Sequence, residues 1–287
     1  MTPQDLPELR RPVLVAAFGG WNDAGDAAST AIEHLALTWD ATDLYDIDPD
    51  DYYDYQSARP TVHQAGGVMR RLEWPSAGIS YCRVPGGTSD LVLVLGVEPN
   101  FRWRTFCQEI IDMAFALNVE RVVTLGSLLA DTPHTRPVPI TGSAYNSEAV
   151  TKYGFAESKY EGPTGITGVL NQLFIQAGVP AISLWASVPH YLGHPPNPKA
   201  TLALLNRLEA VLDTPIPLGM LPAQTTDWEE SINEMLADDE DMANYVRELE
   251  ERALDEQNDA ADQLTEVDGD TLAAEFERYL RGRGPAD

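Results

Sequence analysis

The fold is decided by the stretch PVLVAAF at residues 12–18 and by the glycine-rich turn that follows it at residues 19–25. A near-continuous apolar run of this length is typical of a buried strand in a parallel sheet. Residues 26–39 then place Ala27, Ala31, Ile32 and Leu35 at helical spacing. A buried strand, a tight turn and a helix in this order indicate an α/β fold.

The same alternation recurs along the chain. Apolar runs predict further buried strands at 90–97, 121–125 and 180–188, and helical patterns predict helices at 101–118, 163–177 and 199–213. More polar strands are predicted at 44–47, 68–73 and 79–84, and a long Pro-rich loop at 126–142. The alternation of strands and helices predicts an α/β sandwich with a mostly parallel central sheet.

The acidic residues are concentrated towards the carboxyl end. Residues 222–287 hold 21 acidic and 5 basic residues, whereas residues 1–221 hold 24 and 14. Prolines and a glycine punctuate the chain at 215–222, so we expect an α/β core domain at 1–221 and an acidic helical extension at 222–287.

The extension carries a helical pattern of its own. Its apolar residues recur at spacings of three, four or seven and are Trp228, Ile232, Met235, Met242, Val246, Leu249 and Ala253. The acidic run at 238–241 interrupts this pattern, and a second short helix is predicted at 271–281. We expect the extension to pack on the core domain or on a neighbouring subunit.

Composition excludes several classes of function. The net charge of −26 repels nucleic-acid phosphates and anionic membrane surfaces. No apolar run is long enough to span a membrane, and the N-terminal residues lack the apolar core of a signal peptide, so a cytoplasmic protein is expected. Cys82 and Cys107 make no metal-ligand or disulfide pattern and are expected to be core residues. No metal and no cofactor is expected.

Candidate site residues follow from the predicted sheet. Ligands bind at the carboxyl ends of strands in such sheets, which points to the loops at 19–26, 98–104, 126–142 and 188–198. The polar, glycine and aromatic residues of these loops are the ligand-binding candidates, namely Gly19, Gly20, Trp21, Asn22, Asp23, Asn100, Arg102, Ser127, Asp131, His134 and Arg136.

The first two of these loops each allow two interpretations. The turn at 19–26 could bind an anion through helix amides, or it could be a tight turn with Asp23 or Asp26 as the helix cap. Arg102 could grip a carboxylate or phosphate, or it could offset nearby acidic residues.

The third loop suggests proton-transfer chemistry. An Asp–His pair such as Asp131 and His134 can perform general acid–base catalysis. However, Ser127 lacks the flanking glycines of a nucleophile elbow, so the sequence does not favour nucleophilic hydrolysis.

Five stretches together resemble a known family. They are FGGWNDAGDAAS at 18–29, EPNFRWR at 98–104, ADTPHTRP at 130–137, YEGPTG at 160–165 and PPNPKAT at 195–201. The chain resembles, from about residue 10 to residue 282, the actinobacterial branch of the family of the second proteasome assembly chaperone. This resemblance implies a three-layer α/β/α sandwich similar to nucleoside phosphorylases and peptidyl-tRNA hydrolases. It also implies frequent oligomerisation and a helical C-terminal extension.

The resemblance leaves two hypotheses for function. Eukaryotic relatives hold proteasome α-subunits and dock through a terminal hydrophobic–Tyr–any tripeptide, whereas this chain ends in PAD at 285–287. The first hypothesis is a non-enzymatic, self-associating scaffold or chaperone that binds protein partners, with proteasome subunits as candidates. The alternative is a phosphorylase- or hydrolase-like enzyme or ligand binder for small molecules of the nucleoside or phosphate type.

Overall fold

The protein is described by a computed structural model that covers residues 6–65, 69–155, 161–194, 196–237 and 239–265. The strands are β1 (Val13–Gly19), β2 (Thr42–Ile47), β3 (Thr61–Ala65), β4 (Met69–Glu73), β5 (Ala77–Cys82), β6 (Leu91–Val97), β7 (Arg121–Ala130), β8 (Ile140–Ala144) and β9 (Ala181–Pro189). The helices are α1 (Ala27–Thr38), α2 (Trp103–Ala116), α3 (Ser147–Tyr153), α4 (Ile166–Gln176), α5 (Pro198–Leu212), α6 (Leu221–Leu236) and α7 (Glu240–Thr265).

Seven strands form the central sheet in the order β2-β5-β6-β1-β7-β9-β8. β1 pairs in parallel with β6 and β7, and β7 pairs in parallel with β9. β5 and β8 run antiparallel to their neighbours, and β2 is antiparallel to β5 and therefore points the same way as the central strands. The prediction of a mostly parallel sheet is confirmed.

Helices cover the sheet on two faces, and each face has its own apolar core. Val13, Val15 and Ala17 of β1 lie in the core beneath α1 and α5, whereas the alternate residues Leu14 and Ala16 lie in the core beneath α2 and α4. Because successive side chains of a strand point to opposite faces, a strand buried on both faces must be apolar throughout. This arrangement is the three-layer α/β/α sandwich that the resemblance implied.

The prediction of a Pro-rich loop over residues 126–142 is wrong at both of its ends, where strands lie instead. β7 continues through Gly126 to Ala130 in register with β9, and β8 begins at Ile140. The Trp185 side chain packs on Gly126, where an added Cβ would lie 2.6 Å from the indole ring. The glycine therefore gives room to a cross-strand aromatic side chain instead of ending the strand.

The ends of the other predicted strands and helices of the α/β region lie within three residues of the observed ends. Residue 68, the first residue of one predicted strand, lies outside the described residues. The sequence did not predict β3, β8 or α3.

Both cysteines are buried, unpaired core residues, as expected. Burial and the field of Asp40 raise the pKa of Cys82 to about 11, and burial raises the pKa of Cys107 to about 12. The two side chains are therefore protonated at neutral pH. Thiolate chemistry would require a much lower pKa.

The chain divides into two compact units, one reaching Glu234 and the other starting at Met235. α6 ends at Leu236 and α7 begins at Glu240, so the helical pattern is interrupted at the acidic run, as predicted. The helix predicted at 271–281 lies outside the described residues. Within the described ranges, no helix combines the length and apolar character that crossing a membrane requires.

Candidate functional site

The turn after β1 is held by Asp23, which caps α1. Its buried carboxylate accepts hydrogen bonds from the backbone N–H groups of Ala28 (2.7 Å) and Ser29 (3.1 Å). A carboxylate at this position satisfies free amides and complements the helix dipole. Asp26 makes no side-chain capping bond, and burial together with Asp23 raises its pKa. The helix-cap interpretation of this turn is correct, with Asp23 as the cap.

Hydrogen bonds of Ser127 connect the same turn to β7. The Ser127 hydroxyl lies 3.1 Å from the Asp23 carboxylate and 2.9 Å from the Ala24 carbonyl, and its N–H donates to the Asn22 carbonyl (2.8 Å). Three predicted site residues, Asn22, Asp23 and Ser127, are thus brought together. All three are buried, and their described hydrogen bonds are to other parts of the fold.

Gly19 and Gly20 lie against the loop that follows β6. The Gly19 carbonyl accepts from the N–H of Glu98 (2.9 Å). Gly20 has a φ of 112°, a left-handed conformation that glycine adopts without strain. The conformation of Gly20 therefore lets the turn close over the end of β6.

Glu98 is a structural residue to which the sequence analysis gave no role. One carboxylate oxygen accepts from Asn22 Nδ2 (2.7 Å) and from the N–H of Ile166, the first residue of α4 (2.8 Å). Asn22 is fully buried, and its Oδ1 has no hydrogen-bond partner in the described part of the chain. One feature of the sequence could have indicated this role of Glu98, namely a carboxylate directly after a buried strand, where it can contact the N-terminus of a neighbouring helix.

Gly165 makes this arrangement possible because the Asn22 amide packs directly on it. A Cβ at Gly165 would lie 2.5 Å from Asn22 Nδ2. We expect Gly165→Ala to lower the free energy of unfolding by about 2 kcal/mol through overpacking. Urea denaturation measures the change, and Asn22→Ala in the same chain should relieve part of it. Strictly additive costs of the two substitutions would show that the collision does not occur.

Asn100 and Arg102 lie apart from this cluster and are engaged by the loop after β2. Asn100 Oδ1 accepts from the N–H of Asp54 (2.8 Å). Arg102 forms an ion pair with Asp51 (2.7 Å) and lies over the Tyr52 ring. The structure therefore favours the interpretation in which Arg102 offsets a nearby acidic residue.

Asp131 and His134 have separate described partners. An Asp131 carboxylate oxygen lies 3.3 Å from His190 Nδ1 at the surface. His134 is buried, with Nδ1 2.8 Å from the Tyr191 hydroxyl and Nε2 3.1 Å from Asn233 Oδ1. These contacts fix the His134 ring between the loop after β9 and α6.

Lys199 joins the same region, although the sequence analysis gave it no role. Its ammonium donates to the His134 carbonyl and forms an ion pair with Glu229 (2.8 Å). Arg136 follows in the loop, half-buried, with its N–H 3.5 Å from the Pro133 carbonyl. The space between the side chains around His134 and Lys199 does not admit a water molecule. Across the described ranges, no three His, Cys, Asp or Glu side chains are grouped so that they could hold a metal ion.

Exposed apolar side chains occupy the carboxyl ends of three adjacent strands. Trp21 follows β1 and is 69% exposed, Phe101 follows β6 and is 52% exposed, and Leu128 and Leu129 near the end of β7 are 42% and 53% exposed. We call these four residues the carboxyl-edge surface. The three strands are parallel neighbours, so the four side chains lie at the same edge of the sheet, and exposed apolar side chains in such a position are candidates for an interaction site. Of the four, only Trp21 was named from the sequence.

Comparison with known proteins identifies relatives that cover most of this chain. A Mycobacterium tuberculosis proteasome-assembly chaperone homologue is 56% identical, with a TM-score of 0.76 over 82% of this chain and 99% of its own. A PAC2 family protein from Streptomyces avermitilis is 53% identical, with a TM-score of 0.77 and the same coverage. The Pyrococcus furiosus archaeal proteasome activator PbaB shares the fold at 16% identity, with a TM-score of 0.66 over 80% of this chain and 96% of its own.

The chain matches no curated protein. The family model of the PAC2 family, however, matches residues 17–236, which include all of the central sheet after residue 16, the turn after β1 and the carboxyl-edge surface. Together with the two actinobacterial relatives above 50% identity, this match confirms the resemblance found in the sequence: the chain belongs to the PAC2 family.

Proposed function

We propose that this protein is a chaperone-like scaffold that binds partner proteins through the carboxyl-edge surface. The observation that supports the proposal is that polar residues at the strand ends are buried, whereas apolar residues there are exposed. The polar residues Asn22, Asp23 and Ser127 are buried in the fold, while Trp21 and Phe101 point to solvent. A small-molecule site would usually present its polar groups to an open pocket.

The two aromatic residues provide enough apolar area to anchor a partner. Tryptophan and phenylalanine dominate the energy of many protein interfaces because each buries a large, rigid side chain. Burying the exposed part of Trp21 would contribute about 3 kcal/mol at roughly 25 cal/mol per Å². Leu128 and Leu129 are consecutive residues of β7 and point to opposite faces of the sheet, so each adds apolar area on one side of this edge.

We further propose a proteasome subunit as the partner. The support comes from the relatives, which include a proteasome-assembly chaperone homologue at 56% identity. Purified actinobacterial proteasome α-subunits are therefore the first partner to test. Self-association belongs to the same proposal, because a second copy of the chain could also occupy the surface, and the chain itself is the second probe.

The test compares Trp21→Ser/Phe101→Ser with the unchanged protein in binding to labelled α-subunits. We expect the double variant to weaken binding by about 100-fold, since each 1.4 kcal/mol of lost binding energy is tenfold. The matched control is Met220→Ser, which removes an apolar side chain that is 71% exposed and lies outside the surface. The control variant should bind as the unchanged protein does.

Two results would count against this proposal. Equal binding of α-subunits by the double variant and the unchanged protein would show that the interaction uses another surface. A raised melting temperature with nucleosides or phosphate, without α-subunit binding, would favour the small-molecule alternative, because a ligand that binds the folded state stabilises it.

A further inference from the structure

A groove of about 400 Å³ lies on the α1 face of the sheet, beside the edge strand β2. We call it the edge groove. It is bordered by the second half of α1, the turn after α1, and strands β2, β5 and β6. Its lining residues are Ile32, Ala36, Leu37, Asp40, Ala41, Asp43, Asp46, Gly78, Ile79, Ser80 and Leu95.

The groove is open because the sheet floor carries small side chains there. Gly78 and Ser80 are alternate residues of β5, paired with Leu95 and Leu93 of β6. One wall is apolar and includes Leu37, a leucine that is 84% exposed. An exposed leucine next to an open groove provides a contact for an apolar side chain of a partner.

The polar part of the groove has a single sign of charge. Asp40, Asp43 and Asp46 are exposed, and none of them takes part in an ion pair within the described part of the chain. Asp46 extends over the floor, since a Cβ at Gly78 would lie 3.2 Å from its Oδ1. α1 ends at Thr38 with no basic residue in its last turn, so the negative end of the helix dipole adds to this field.

These features define the chemistry of the occupant. An acidic segment, including one from a second copy of this chain, is disfavoured at this groove because its three carboxylates would repel it. The three carboxylates are not grouped as metal ligands are. A cationic side chain next to an apolar one would satisfy both the carboxylates and the apolar wall. Within the described residues β2 pairs only with β5, so an extended segment can lie along its outer side.

We propose that the edge groove binds an extended segment of a partner protein in which lysine or arginine and apolar residues occupy alternate positions, so that their side chains face the groove together. Its carboxylates and apolar wall are separate from the carboxyl-edge surface. The inference therefore goes beyond the proposed function and can succeed or fail independently of it.

The test uses the full chain and a fluorescein-labelled peptide of sequence GKSVSKG, whose two lysines and valine share one face when the peptide is extended. We expect saturable binding that weakens with added salt, because exposed charge pairs are screened. Neutralising the groove in Asp40→Asn/Asp43→Asn/Asp46→Asn should weaken binding at least 10-fold. Leu37→Ser should weaken it about 3-fold, since this side chain is exposed and its loss leaves the core intact.

The control variant, Asp227→Asn/Glu230→Gln/Glu234→Gln, removes the same charge from exposed positions of α6 and should bind as the unchanged protein does. If the control variant weakened peptide binding as much as the groove variant does, the binding would be a general attraction of a cationic peptide to an acidic protein. That result would overturn the proposal. Equal binding of the peptide GESVSEG, or no binding of GKSVSKG, would overturn it too. Displacement of GKSVSKG by spermidine at equal concentration would overturn it as well, because the groove would then bind small cations instead of a protein segment.

Discussion

Replacing Asp90 with alanine is expected to lower the free energy of unfolding by about 3 kcal/mol. The Asp90 side chain is fully buried just before β6. One carboxylate oxygen accepts from Arg10 Nη2 (2.7 Å) and from the N–H of Val84 (3.1 Å), and the other accepts from the N–H of Arg10 (2.8 Å). Removing the carboxylate leaves these donors without their charged acceptor. Urea denaturation measures the loss.

Asp90 also makes the stability depend on acid. Burial on its own would raise the pKa of Asp90, but the hydrogen bonds from Arg10 and Val84 and the Arg10 charge lower it below the ordinary value. The unfolded chain therefore binds this proton more readily, so the stabilisation is present above the unfolded pKa and is lost as the pH falls through the folded pKa. Asp90→Asn should flatten the fall in stability below about pH 4, the ordinary range for this group.

The control for Asp90 is Arg11→Ala. Arg11 forms an exposed ion pair with Glu120 (3.1 Å), a kind of pair that contributes little to stability. Similar urea midpoints for Asp90→Ala and Arg11→Ala would contradict a stabilising role for the buried carboxylate.

Gly96→Ala is expected to destabilise the protein by about 3 kcal/mol, at the upper end of overpacking costs. Gly96 lies in β6 opposite Ala77 of the neighbouring strand. A Cβ on Gly96 would lie 2.5 Å from Ala77 Cα and 2.6 Å from the Ser76 carbonyl oxygen. Both atoms belong to the backbone, so the collision can be relieved only by moving the strands apart. Thermal and urea unfolding measure the effect.

Gly19→Ala is the matched control, because Gly19 ends the adjacent strand β1. The nearest atom to a Cβ at Gly19 is the Gly96 carbonyl oxygen, at an ordinary contact distance of 3.8 Å. This variant should therefore cost less than about 1 kcal/mol. Equal costs at the two glycines would mean that close packing between β5 and β6 does not explain the need for glycine at position 96.

The apolar pattern was sufficient to predict the strands and helices of the core. β1 is apolar at every position because helices cover it on both faces, and a pattern of that kind is visible in the sequence itself. The end of β7 could not be predicted in the same way. Gly126 is typical of a turn, and only the position of Trp185 on the neighbouring strand explains why the strand continues through it.

The rule for parallel sheets predicted which loops lie at the carboxyl edge of the sheet, but it did not predict the direction of their side chains. The rule for parallel sheets correctly brought the turn after β1 next to Ser127. Whether a side chain points into the fold or into solvent depends on contacts between distant segments, such as Glu98 with Ile166. The sequence therefore named Asn22 and Asp23 as ligand-binding candidates, while the exposed Phe101, Leu128 and Leu129 were not named.

The most direct measurement of the proposed function is site-specific photo-crosslinking. The full chain carries p-benzoylphenylalanine in place of Trp21 in one sample and in place of Met220, which is similarly exposed, in another. After illumination with purified proteasome α-subunits, we expect a crosslinked product of the two chains from position 21 and none from position 220. Equal crosslinking from both positions, or none from position 21, would contradict partner binding at the carboxyl-edge surface.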